Sequence, residues 1–97
     1  MKIIAIEREL SGAAPEQYQQ HAAAEARKVW DLTQAGIIRE SYFRLDRNEA
    51  VLILECASVS DAEQALSALP FVQNQLIIFE LIPLKAYPGF ERLFAKA

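Results

Sequence analysis

An α+β domain built on an antiparallel sheet is the fold this sequence predicts, and three observations lead there. The apolar runs Val51-Leu52-Ile53-Leu54 and Leu76-Ile77-Ile78-Phe79 have the continuous character of buried strands. Residues 16–35 are rich in Ala, Gln, Glu, Arg and Lys, all good helix formers. At 97 residues the chain has room for one domain and a modest core. Strands apolar on both faces need cover on both sides, and this chain has too few helices to supply it. The second cover is expected to be another copy of the chain.

Residues 2–9 open with the β-branched run Ile3 to Ile6, end in charge and meet the loop signal Ser11-Gly12, which predicts strand one. Pro15 suits a first helical turn and Gly36 a helix stop, so helix one spans 16–35. On a helical wheel Ala22, Ala26, Val29, Trp30, Thr33 and Ile37 form one stripe, flanked by Tyr18 and Leu32, that should lie on the sheet. Strand two is expected over 37–45, with one wetter face. The turn Asp46-Arg47-Asn48 then makes a hairpin with strand three at 51–56. Ser58 or Ser60 can cap helix two, with Ser60 to Glu63 fitting a capping box, and Pro70 closes it after Leu69. Strand four runs over about 75–82, ended by Pro83. The tail 84–97 carries Tyr87, Phe90, Leu93 and Phe94, too apolar for a loose terminus, and is expected to dock.

That order, βαββαβ, is the ferredoxin-like arrangement, a four-stranded antiparallel sheet with both helices on one face. Pairing two such sheets through their open faces would make a dimeric α+β barrel, with 1–97 as one domain plus the C-terminal segment. Strands one and three, at its centre, are read as running parallel and ending at one edge.

Composition narrows the function. With 53% apolar residues the chain is not disordered, yet no run approaches the roughly 20 residues of a membrane span. The start has too few apolar residues for a secretory signal, so the expected location is cytoplasmic. Cys56 is the sole cysteine and is expected to be a buried, inert thiol. A net charge of -3 without a basic cluster disfavours nucleic acid, and three scattered glycines disfavour a nucleotide loop. One His and no metal-ligand spacing leave neither a metal nor a cofactor expected.

The stretch Gly36-Ile37-Ile38-Arg39, the run Ala50 to Glu55, the helix start Ser58 to Ala62, Ala68-Leu69-Pro70-Phe71 and the last strand leading to Pro88 cover about half the chain. They resemble muconolactone isomerases and the wider group of small dimeric α+β-barrel proteins that includes the YciI-like ones. The resemblance implies a homodimer or larger ring, a small organic substrate and no cofactor. It does not imply the lactone reaction, because strand one lacks the His and Lys of the isomerase strand. A YciI-like His and downstream acid find loose matches in His21 and Asp31.

With the central strands taken to end together, Glu7 and Glu55 fall at one sheet edge, near His21, Arg39 and Glu40. Such a group could bind an anionic substrate and move a proton, with Glu7, Glu55 or His21 as base and Arg39 steadying an enolate. Trp30 and Tyr42 are candidates to line an apolar substrate pocket. The competing reading makes these charges ordinary strand-end ion pairs, with Glu25 pairing His21 on the surface, and Arg44, Asp46, Arg47 and Glu49 as hairpin-surface charge. The functional expectation is a cofactor-free enzyme acting on a small organic acid or lactone by proton transfer. Its alternatives are a non-catalytic ligand-binding or assembly module and a cofactor-free oxygenase.

Overall fold

The computed structural model describes residues 1–95. Strands β1 (Lys2–Glu9), β2 (Ile38–Phe43), β3 (Ala50–Glu55) and β4 (Ile77–Pro83) form one sheet in the order β2-β3-β1-β4. Between them lie the helices α1 (Pro15–Gln34), α2 (Val59–Leu66) and α3 (Pro70–Gln73), and a 3-10 helix follows at Pro88–Leu93. This is the ferredoxin-like α+β fold.

Every neighbouring pair of strands is antiparallel. The expected parallel pairing of β1 and β3 is therefore wrong, for a topological reason. A helix returns the chain so that β2 runs with β1, and the following hairpin reverses β3 against both. The register sets Lys2 opposite Glu55 and Ile6 opposite Val51, so Glu7 and Glu55 sit at opposite ends of the central pair.

Alternation along the strands divides the sheet into two faces. Ile3, Ala5, Leu52 and Leu54 point to the helices and join Leu32, Ala62, Leu66 and Leu69 in the core. Ile4, Ile6, Val51 and Ile53 point the other way and are half-buried, whereas Ile78 and Ile82 on that face are 51% and 37% exposed. No element among the described residues covers that apolar face.

Local signals explain the element ends. Pro15 stands at the start of α1, and the Gln17 side chain accepts the Ala14 N–H at 2.8 Å. Gly36, at φ +78°, lets the Ile37 N–H reach back to the Leu32 carbonyl at 3.0 Å, which closes the helix. Ser58 is the cap of α2, its Oγ accepting the Asp61 N–H at 3.1 Å, and Ser60 lies inside the helix. Pro70 begins α3 instead of closing α2, since Leu69 is extended and proline needs no N–H partner in a first turn.

β2 is shorter than expected and carries a bulge between Ile38 and Glu40. Ile38 pairs with Leu54 and Glu40 with Ile53, so Arg39 is the extra residue. The bulge exchanges the faces beyond it. Ser41 and Phe43 turn toward the helices with Leu52 and Ala50, while Glu40 and Tyr42 join Ile53 and Val51 on the open face.

The tail leaves from the Lys2 end of the sheet, where the Leu84 N–H donates to the Lys2 carbonyl at 2.9 Å. Tyr87 and Phe90 meet edge to face at 5.0 Å, but Tyr87, Phe90, Leu93 and Phe94 all remain exposed. The radius of gyration, 16.3 Å, exceeds the about 13 Å of a compact domain this long, as an outstretched arm requires. The last two residues of the tail expected to dock lie outside the described residues.

Candidate functional site

α1 does not lie flat on the sheet. Its inward stripe, from Pro15 through Tyr18, Ala22, Glu25, Ala26, Val29 and Trp30 to Thr33, lines a cavity of about 940 Å³. Only Leu32 of this helix is buried. The small side chains of Ala22 and Ala26 leave space that larger residues would fill. The sheet supplies the floor with Glu7, Ala50, Leu52 and Phe79, and the hairpin supplies a wall with Ser41, Phe43 and Asn48. Along its opposite edge α1 is tied down: Tyr18 Oη donates to the Leu76 carbonyl at 3.0 Å, Glu25 accepts the Phe71 N–H at 2.9 Å, and the rings of Tyr18 and Phe71 meet edge to face at 5.2 Å.

Glu7 is the chemically distinctive group of this cavity. It points to the helix face of β1, is only 7% exposed, and accepts the Ala50 N–H at 3.3 Å. Loss of hydration disfavours the carboxylate, and the negative charges of Glu9, Glu49 and Glu25 add to the effect. The Ala50 N–H opposes them, and the balance raises the pKa from 4.5 to about 7. Burial also raises the Glu25 carboxyl, against the Phe71 N–H that lowers it. The Tyr18 phenol is raised chiefly by burial.

The end of the β1–β3 ladder explains how Glu7 comes to be buried. Paired residues stop at Ile6 and Val51. Beyond them Glu7 accepts the backbone N–H of Ala50, and Glu49 accepts that of Glu9 at 3.3 Å, so two side chains replace the missing ladder bonds across the splayed strands. Glu49 is also 7% exposed, which corrects its placement as surface charge. Its Oε1 lies 3.5 Å from Arg44, 3.7 Å from Arg47 and 3.9 Å from Arg8. Arg44 pairs with Asp46 as well, at 2.7 Å.

The residues singled out from sequence do not form one cluster. Glu7 and Trp30 line the cavity, with Trp30 56% exposed at its side. Tyr42 borders it as part of β2, but the register puts its side chain on the open sheet face, where its hydroxyl donates to Glu40. Glu55 is at the far end of the sheet, 2.7 Å from the Met1 amino group, which holds its pKa below the ordinary value. Arg39 donates from Nε to the Gly36 carbonyl. Neither it nor His21 or Glu55 is in the lining. Glu25 faces the cavity and Phe71, not His21. Its spacing from Tyr18, Ala22 and Val29 is the helical signal that identifies it.

No protein-family model and no curated protein matches the chain. Among solved structures it is similar to 5-chloro-2-hydroxyhydroquinone dehydrochlorinase from Burkholderia phenoliruptrix AC1100, in its complex with 2,5-dihydroxybenzoquinone. The TM-score is 0.73 at 15% identity, over 92% of this chain and 98% of that one. At that identity the likeness is one of fold. Among the described residues, no helix is long and apolar enough to cross a membrane, and no cluster of ligating side chains could hold a metal ion.

Proposed function

We propose that this protein is a small enzyme that moves a proton on a small organic molecule bound between α1 and the sheet, with Glu7 as the acid–base group and no cofactor. One observation carries the reading: a carboxyl with a pKa of about 7 on the floor of an apolar cavity. Near neutral pH such a group is present in both forms, so it can take a proton from carbon or hydroxyl at one position and return it at another. Tyr18 and Glu25 act by holding α1 over the cavity. The fold shared with a dehydrochlorinase of a small hydroxylated ring supports a small-molecule substrate, as does the resemblance to muconolactone isomerases and YciI-like proteins.

The test is exchange into deuterated water. Small cyclic ketones, lactones and hydroxylated rings, incubated with the protein, are expected to gain deuterium at acidic C–H positions. Glu7→Gln, which keeps an acceptor for Ala50, should abolish that gain and keep the fold. Equal exchange by the variant removes Glu7 from the chemistry. A second reading, a non-catalytic binding module, is favoured by the absence of His21, Arg39 and Glu55 from the cavity. It predicts ligand binding without exchange.

We also propose that the open sheet face is covered by a second copy, giving a face-to-face dimer. The exposed Ile78 and Ile82 support this, together with the half-buried apolar residues around them. Sedimentation should give a dimer at micromolar concentration, and a monomer would refute the assembly.

A further inference from the structure

We infer that the cavity between α1 and the sheet selects a flat ring compound bearing hydroxyl groups and rejects carboxylates. The inference rests on the reading of this cavity as the ligand site and narrows the class of molecule it takes.

Among the described residues, the lining carries the carboxyls of Glu7, Glu9 and Glu25 and no Lys, Arg or His. An anionic ligand would bring like charge against these groups in a poorly hydrated space, with no cation to offset it. Three arginines at this end of the sheet are engaged elsewhere, Arg44 and Arg47 with Glu49 and Arg8 with Glu80 at 2.9 Å. This removes the anionic substrate expected from Arg39.

Hydrogen-bonding capacity points the same way. Tyr18 has its only donor on the Leu76 carbonyl. Glu7 and Glu25 each accept one backbone N–H and keep further lone pairs. Above pH 7, where Glu7 is mainly ionised, the deep polar groups of the cavity thus offer acceptors, and a matching ligand must supply donors. Flat apolar surface is available from Trp30, Phe43, Phe71 and Phe79, which favours a ring over an aliphatic chain. A hydroxylated ring meets both demands.

Three probes of similar size separate these demands: resorcinol, 1,3-dimethoxybenzene and benzoate. Binding is read at pH 8 from Trp30 fluorescence and from amide shifts of Ala50 and Phe71. Resorcinol should bind roughly tenfold more tightly than either of the other two. Glu25→Gln, which removes a charge and keeps an acceptor, should narrow the gap between resorcinol and benzoate severalfold. Equal or tighter binding of benzoate or the dimethoxy ether overturns the inference, and so does binding of none at millimolar concentration. The proton-transfer reading fails separately: it falls if Glu7→Gln leaves deuterium exchange intact, whatever the order of affinities.

Discussion

Glu7 and Glu55 are the same residue at opposite ends of the two central strands, and the structure drives their proton affinities apart. Glu55 stands where the ladder is complete, over the fully buried Ile3 and Leu54, and meets an ammonium group at the surface. Its pKa falls. Glu7 stands where the ladder ends, beneath a helix that spans a cavity, with carboxylates for neighbours and one backbone N–H for support. Its pKa rises to about 7. Residue type and strand-end position therefore do not define an acid–base group. What defines it is whether the surrounding elements close over the side chain without providing a cation.

The largest effect that sharpens this contrast is on stability. Leu54→Ala, beneath the closed end, should lower unfolding free energy by about 2–5 kcal/mol. Phe43→Ala, at the cavity wall and 67% exposed, should change it by under about 1 kcal/mol in denaturant unfolding. Equal losses would mean that the cavity end is packed like the core.

Next in size is the cost of ionising Glu7. Its folded pKa lies above the unfolded value of 4.5, so the folded state binds more protons between pH 4.5 and about 7. Stability from this group is therefore full below pH 4.5 and declines as pH rises to about 7. Above that the ionised carboxylate costs about 3 kcal/mol. Glu7→Gln should be the more stable protein at pH 8, by up to that amount, and should lack this decline when unfolding is followed from pH 4 to 8. A variant less stable than the parent at pH 8 would break the argument.

Glu49→Gln should act through its neighbour. Removing this charge frees Arg44 and Arg47 and takes a negative group away from Glu7, and both changes lower the Glu7 pKa. A fall of roughly half a unit or more is expected in a carboxyl NMR titration. Glu55→Gln, the smallest effect, should leave both the Glu7 titration and ligand binding unchanged.

Much of the fold was legible in the sequence because each element carries its own signal. The helix former content of 16–35, Pro15 and Gly36 bound α1, and the two apolar runs mark β3 and β4. The site was legible only in part. Taking β1 and β3 as parallel joined Glu7 to Glu55, although counting chain reversals would have separated them. Tyr42 reads as inward by strict alternation from Ile38, but the extra residue at Arg39 reverses the strand's faces, and a bulge leaves little trace in composition. Glu25 was legible by its helical spacing, yet its pairing with Phe71 depends on where α3 docks. The burial of Glu49 depends on the splayed strand ends, which no local pattern records.

The most direct test of the account is a carboxyl ¹³C NMR titration that follows Glu7 and Glu55 in the same sample from pH 3 to 9. Glu7 should titrate near pH 7 and Glu55 below its ordinary value of 4.5. Two carboxyls titrating together near 4.5 would contradict it.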